Sequence, residues 1–596
     1  MSGTRQHARS LPQGASIEGD GVRFRFWAPG VDAVGLRIEG GREGEVPMRA
    51  AGEGWFEATV PGAGAGTLYR YVLPDGTAVP DPASRFQPQD VHGPSEVIDP
   101  ATYGWSVPWD GIGWDEVVLY ELHVGAFTPE GTFRAAAEKL DHLAAFGITA
   151  IEIMPVWDFP GQRNWGYDGV LPYAPDSSYG RPEDLKALVE AAHRRGIAVL
   201  LDVVYNHFGP DGNFLPAYAP KFFTERHKTP WGAAVNYDGE HSQPVRDFII
   251  GNALYWLDEF QLDGLRLDAV HAIIDDGPKH LLVELAEQAR ALSPRPVHLL
   301  LENEDNEPRR LTRGAHRVPR HYTAQWNDDV HHVLHCAATG ERTGYYEDYQ
   351  GNTVLLGKAL AEGFAYQGQM MPYRGSPRGE PSFALPPGAF VAFIQNHDQI
   401  GNRAFGDRLT DTASPEAMRA LAAVYLLLPQ CPMLFMGEEW GSRVPFPFFC
   451  DFDGELADAV RKGRREEFSR FPEFQDPEQR DRIPDPLAVG TFTSAKLDWD
   501  RAEGGTLEHY RSLIRARRER LVPLLPAIDR GGSWTLFGDG AVQVRWLAGE
   551  RTLALTANLS EETVPFPAAH GEVLWTEGAV GEEFGPWSVR WTVEPT

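Results

Sequence analysis

Residues 263–271 read DGLRLDAVH, a short apolar run with an arginine and an aspartate inside it. As a strand it places Arg266 and Asp268 on the same face, because side chains two apart point the same way. Burying charge is costly unless a partner or a function compensates it. The stretch therefore predicts a strand that carries an ion pair toward one end of a sheet.

Seven further runs share its character: VVLYELHVG, ITAIEIMPV, IAVLLDVVYNH, VHLLLENE, YTAQWND, FVAFIQNHD and CPMLFMGEE. They alternate little, as parallel strands covered on both faces do. Helical patterns such as PEDLKALVEAAHRRG and PKHLLVELAEQARAL lie between them. Eight strands alternating with helices predict an α/β fold, a (β/α)8 TIM barrel. Nearly every run ends in polar or charged residues, and a barrel enzyme keeps its site at the C-terminal ends of its strands.

The chain on either side of these runs has the short alternating patterns of antiparallel sheets. GVRFRFWAP, GWFEATVP and TLYRYVLPDG predict an N-terminal β-sandwich over residues 1–108. GAGAG, from Gly62 to Gly66, is a turn, since no helical pattern follows to make it a phosphate loop. The barrel is expected over 109–520, with long excursions near 208–243 and 340–387. Loops of that length are more often functional lids than filler. After LEHYRSLIRARRER come AVQVRWLAG, RTLALTANLS and SVRWTVE, which predict a C-terminal β-sandwich over 521–596.

The 596 residues are too many for one ordinary core. A formal net charge of −29 argues against a nucleic-acid partner. Three cysteines cannot make a disulfide framework for a chain this long. The start, MSGTRQHARSLPQG, lacks the apolar core of a leader, and no apolar run is of membrane length. A cytoplasmic protein with no membrane partner is the expectation.

Four strand ends stand out: DVVYNH (202–207), GLRLDAVH, LLLENEDNEP (299–308) and FIQNHD (393–398). Any one of their carboxylates is accounted for as a helix cap or a solvated loop residue. Four matched ends converging on one mouth point to chemistry. Paired carboxylates suit glycoside hydrolysis, and a retaining enzyme needs an ionised nucleophile and a protonated acid roughly 5 Å apart. Arg266 beside Asp268 favours the ionised role for that residue. Glu302, at the end of the next strand, takes the acid role.

In this order the four segments resemble the signature regions of the α-amylase family of glycoside hydrolases. The resemblance covers most of the chain and implies that Asp268 is the nucleophile, Glu302 the acid/base and Asp398 the third carboxylate holding the sugar. It also implies that His207 and His397 bond that sugar's hydroxyls and that Asp202 and Arg266 support the nucleophile. NWGYDG matches the segment after the second strand, giving Tyr167 as a stacking platform beside Trp165; His271 is expected near the bound chain. No catalytic metal or other cofactor is implied. The expected family pattern has an aspartate where this chain has Glu304, so Glu304 is the alternative acid; Glu302 is preferred for its place at the strand end.

A narrower likeness within the family rests on GLRLDAVHAI, ENEDNEPR, AQWNDDVHH, FAYQG and PFPFFCDFDGELADAVRKGRREEF. It implies cleavage of the α-1,4 bond next to a terminal trehalose in a glucan chain, with Asn327 and Asp328 as further substrate contacts. Glycogen-branching enzymes share the layout and form the runner-up. A non-catalytic glucan-binding protein on a retired barrel is a third class, which retention of all three carboxylates opposes.

HHVLH places His331 and His335 at metal-ligand spacing, next to Cys336, with sugar contact or plain helix surface as the other readings. DFDGE, from Asp451, starts like a calcium loop but lacks its twelve-residue spacing. Trp326, Trp440 and Phe446 to Phe449 are as well suited to core as to glucose faces.

Overall fold

The computed structural model describes residues 7–9, 11–40, 44–468, 476–568 and 570–595. Residues 1–6 and 10, on which part of the leader reading rests, lie outside them. Eight parallel strands close into a barrel in chain order. They are β1 (Leu119–Leu122), β2 (Ala150–Ile153), β3 (Ala198–Val203), β4 (Gly264–Leu267), β5 (His298–Leu301), β6 (Ala324–Trp326), β7 (Phe390–Ala392) and β8 (Cys431–Phe435). Each falls within one of the eight apolar runs. The two helical patterns quoted above form helices at Pro182–His193 and Leu281–Ala291.

The barrel interior changes character along its length. Its lower part is an apolar plug that includes Leu119, Ala198, Leu200, Leu300, Val391 and Met433. Toward the C-terminal ends the inward side chains become polar. Glu121 stands beside Glu152 in the β1–β2 register, and Asp202 beside Arg266 in the β3–β4 register. All four are buried. The floor of the site thus rests on a packed core, as side-chain layers of a TIM barrel require.

At the N-terminus, a four-stranded antiparallel sheet built on Gly21–Trp27 and Trp55–Pro61 faces a second sheet built on Gly35–Glu39 and Leu68–Val72. Inward-facing rings fill the space between them, with Phe26 and Tyr71 stacked at 4.1 Å. The GAGAG segment links Trp55–Pro61 to Leu68–Val72 as a turn. The C-terminal unit has a five-stranded antiparallel sheet and a separate two-stranded one. Helix Thr353–Glu362 covers part of the larger sheet; Trp546 Nε1 donates to Ala361 O at 3.2 Å.

Both long excursions carry structure of their own. The first holds a hairpin of Phe223–Thr229 and Gly232–Val235, the second the helix Thr353–Glu362 and a hairpin of Gln369–Met371 and Ser376–Arg378. Among the described residues, no helix is long and apolar enough to cross a membrane.

Candidate active site

Asp268 and Glu302 stand one residue beyond their strands, yet the ladder still holds their backbones. Asp268 N–H donates to Val203 O and Glu302 N–H to Leu267 O, both at 3.0 Å. Arg266 reaches up from inside the barrel. Its Nη1 donates to Asp202 Oδ2 at 2.7 Å and to Asp268 Oδ1 at 2.8 Å, while Nη2 lies 3.5 Å from Glu302 Oε2. The guanidinium lies 4.1 Å over the Trp326 ring, which fixes its plane. Asn206 Nδ2 donates to the second oxygen of Asp268 at 2.8 Å, and Tyr167 OH donates to Asp202 Oδ2 at 2.6 Å.

Glu302 is held differently. Ala269 has a positive φ of 39°, uncommon for a residue with a side chain, and the conformation aims its N–H at Glu302 Oε2, 2.5 Å away. Burial raises the Glu302 carboxyl above its ordinary range, and Asp268 and Asp398 add to this against the pull of Arg266 and His271. Glu304 sits further out, its side chain 59% exposed. Its N–H donates to His271 Nδ1 at 3.3 Å and its carbonyl accepts from Arg378 Nε at 2.8 Å. His271 therefore braces the loop after β5.

On the opposite side, His397 and Asp398 open a short helix, His397–Gly401. Glu121 holds the histidine twice, accepting from its N–H at 3.0 Å and from Nδ1 at 2.5 Å. Burial opposes a charge on His397, but Glu121 outweighs it and the imidazole is raised above its usual range. Tyr167 stacks against His397 at 5.2 Å, and Asn402 Nδ2 donates to Asp398 Oδ1 at 2.7 Å. His207 bonds the Tyr167 carbonyl at 3.0 Å and stacks under Trp231, a half-exposed ring on the first excursion, at 4.4 Å.

Two expected contacts are corrected. Trp165 is buried with its ring stacked on Phe446 and edge-on to His397, so it backs the histidine and offers no open face. Gly401 makes room for it, since a Cβ there would come within 2.0 Å of the ring. Asn327 follows an inward Trp326 and so points away from the mouth; its amide donates to Gly363 O at 2.9 Å and Gln430 Oε1 at 3.0 Å. Asp328, by contrast, faces Glu302 and Asp398, and burial with those charges pushes its carboxyl up to about 8.

Glu302, Glu304, Asp328 and Asp398 line a cleft of about 340 Å³ whose other wall is Tyr345, Tyr373, Arg374 and Arg378 of the second excursion. Sequence reasoning singled out none of those four, nor Asn206 and Glu121. Asn206 sits inside the quoted DVVYNH motif; the excursion residues have no periodic signal to mark them.

The other metal-like patterns have structural partners. His331 bonds Ile394 O at 2.7 Å and Tyr346 OH at 2.8 Å, and His335 bonds Glu341 Oε2 at 2.8 Å. Asp451 pairs with Arg163 at 2.6 Å. Among the described residues, His227, Asp238 and Asp276 bring possible ligand atoms within 4.8 Å of one another, but Arg226 already lies 3.4 Å from Asp238.

The family profile "Alpha amylase, catalytic domain" matches residues 84–226, and "Domain of unknown function (DUF3459)" matches 529–591. Over 590 residues the chain is 44% identical to the malto-oligosyltrehalose trehalohydrolase of Deinococcus radiodurans, covering 96% of this chain and 94% of that one. It is 41% identical over 540 residues to the enzyme of the same name from Saccharolobus solfataricus, covering 89% and 92%. A 1.4 Å crystal structure of a Salmonella typhimurium protein assigned as an alpha amylase superposes with a TM-score of 0.94 at 45% identity, covering 98% of this chain and all of that one.

Proposed function

Since the chain belongs to the malto-oligosyltrehalose trehalohydrolases of the α-amylase family, we propose that it hydrolyses the α-1,4 bond next to the terminal trehalose of a malto-oligosyl chain, releasing trehalose. The observation that carries the reading is the near-complete coverage of relatives with that name, on a chain that keeps all three carboxylates at the barrel mouth.

The reaction is a double displacement with retention. Asp268, supplied with donors by Arg266 and Asn206, attacks the anomeric carbon. Glu302 gives its proton to the glycosidic oxygen, so trehalose departs as a neutral alcohol. The same residue then takes a proton from the water that cleaves the glycosyl-enzyme. Asp398 and His397 hold hydroxyls of the sugar at the cleaved bond, with Tyr167 under its ring and His207 at its edge. Asp328, whose carboxyl is pushed up to about 8 by burial and by Glu302 and Asp398, stands beside the acid. The acid faces the leaving group, so the wall of Tyr345, Tyr373 and Arg374 beside Glu302 is where trehalose sits. The substrate is a neutral α-glucan; neither a nucleic acid nor a membrane takes part, and the enzyme works in the cytoplasm, where three buried free thiols stay reduced.

Incubation with maltooligosyltrehalose and, separately, with amylose tests this. Free trehalose from the first is expected. New α-1,6 branches in amylose, with no trehalose from the first, would replace hydrolysis by branching.

A further inference from the structure

Glu152, on β2, has no part in the reaction set out above, and its surroundings are unusual for a carboxylate. It is fully buried, and neither oxygen has a hydrogen-bond partner among the described residues. The β1 register puts Glu121 directly beside it, and β3 presents Leu200 opposite with Asp202 two residues further up. Arg266 on β4 and the Cys431 thiol on β8 lie within its electrostatic reach.

The one arginine in this set has both Nη groups turned to other carboxylates, and its Nε makes no hydrogen bond to Glu152. Arg266 gives Nη1 to Asp202 and Asp268 and turns Nη2 toward Glu302. His397 is taken up by Glu121. An ionised Glu152 would therefore be a buried charge with no cation of its own, which a protein avoids by keeping the proton. Among the described residues the same layer leaves Asp202 Oδ1 without a donor and Arg266 Nε without an acceptor, and no hydrogen bond joins either atom to Glu152.

We propose that Glu152 is a positioning residue for the double displacement: a neutral carboxylic acid whose hydroxyl serves the floor beneath Asp202 and leaves Arg266 to the two reacting carboxylates. The inference rests on the proposed function for its kinetic consequences only. Burial, reinforced by Glu121 and Asp202, pushes the Glu152 carboxyl well above the ordinary carboxylate range, in keeping with that state. An ionised group at the same place would draw the guanidinium down into the barrel and loosen its hold on Asp268.

Infrared difference spectra of the free enzyme at pH 8, wild type against Glu152→Gln, read the protonation state without substrate. A carbonyl band of a neutral carboxylic acid, lost in the variant, is expected; no such band means that Glu152 is ionised and overturns the proposal. Kinetics then separate positioning from packing. Glu152→Gln keeps shape and a donor, so kcat/KM stays within about threefold and the alkaline limb does not move. Glu152→Leu takes away the hydroxyl that the proposal assigns to this layer, so kcat falls by about tenfold or more with KM nearly unchanged. An alkaline limb moved to lower pH in Glu152→Gln would mean that a negative charge had been removed, again overturning the proposal. Equal kinetics in both variants would reduce the residue to filler. Should Glu152→Leu not fold, the spectrum and the Glu152→Gln profile decide alone. Failure of the trehalose reading leaves the spectrum untouched, so the two failures are told apart.

Discussion

The ends of β4 and β5 carry the same functional group one strand apart and treat it in opposite ways. At β4, both oxygens of Asp268 receive donors at 2.8 Å, one from Arg266 and one from Asn206. At β5, Glu302 has a single backbone donor, with the same guanidinium 3.5 Å away. It is also raised by burial, with Asp268 and Asp398 adding to the effect. A charged donor and an amide make a place for a carboxylate ion, whereas burial among acids makes a place for a proton. On the proposed mechanism, one arginine shared unequally divides the labour between nucleophile and acid.

The comparison breaks most plainly at Asp268. Asp268→Asn keeps the shape and removes the nucleophile, so turnover of maltooligosyltrehalose should drop by about 10⁴-fold or more while thermal unfolding is unchanged. Glu302→Gln should cost about 10²- to 10⁴-fold, less with a glycoside whose leaving group needs no proton. Glu304→Gln is the comparison: its exposed carboxylate lines the same cleft, so it should cost no more than about tenfold, and mainly in KM. The reverse order of losses in a steady-state assay would move the acid to Glu304.

A pH profile sharpens the contrast further. With Glu302 as the proposed acid, the alkaline limb of kcat/KM should follow loss of its proton and lie above the ordinary carboxylate range. Asp398→Asn removes one of the charges that raise Glu302, so the residual activity should show this limb at lower pH. A limb displaced to higher pH would contradict the assignment.

The smallest effect concerns a carboxylate outside the reaction. Burial opposes charge on Glu341, but His335 and Arg403 pull it down to about 2. Its stabilisation is present above the unfolded value of about 4.3 and is lost as pH falls through the folded one. Glu341→Gln should therefore lower the unfolding temperature by about 1–2 °C at pH 7, a difference that closes as the acid range is entered. Calorimetry at the two pH values measures it.

The barrel and the Arg266–Asp268 pair were legible because they rest on local rules: apolar runs of strand length, and a two-residue period that carries one step past the strand. The same period was the signal missed at Asn327, which alternates outward after Trp326. Trp165 needed a long-range fact, the space left by Gly401, to be read as a prop for His397. The left-handed Ala269, which presents its amide to Glu302, has no signature in residue type. Tyr345, Tyr373, Arg374 and Arg378 reach the cleft through an excursion whose path depends on its own packing. Its contacts have no period to read.

The division between the two strand ends is tested most directly by trapping the intermediate. An activated fluoroglucosyl donor is incubated with the enzyme, which is then digested and analysed by mass spectrometry. The covalent glucosyl adduct is predicted on the peptide containing Asp268, and in Asp268→Asn it should be absent. An adduct on Glu302, or product released with inverted anomeric configuration, would contradict the account.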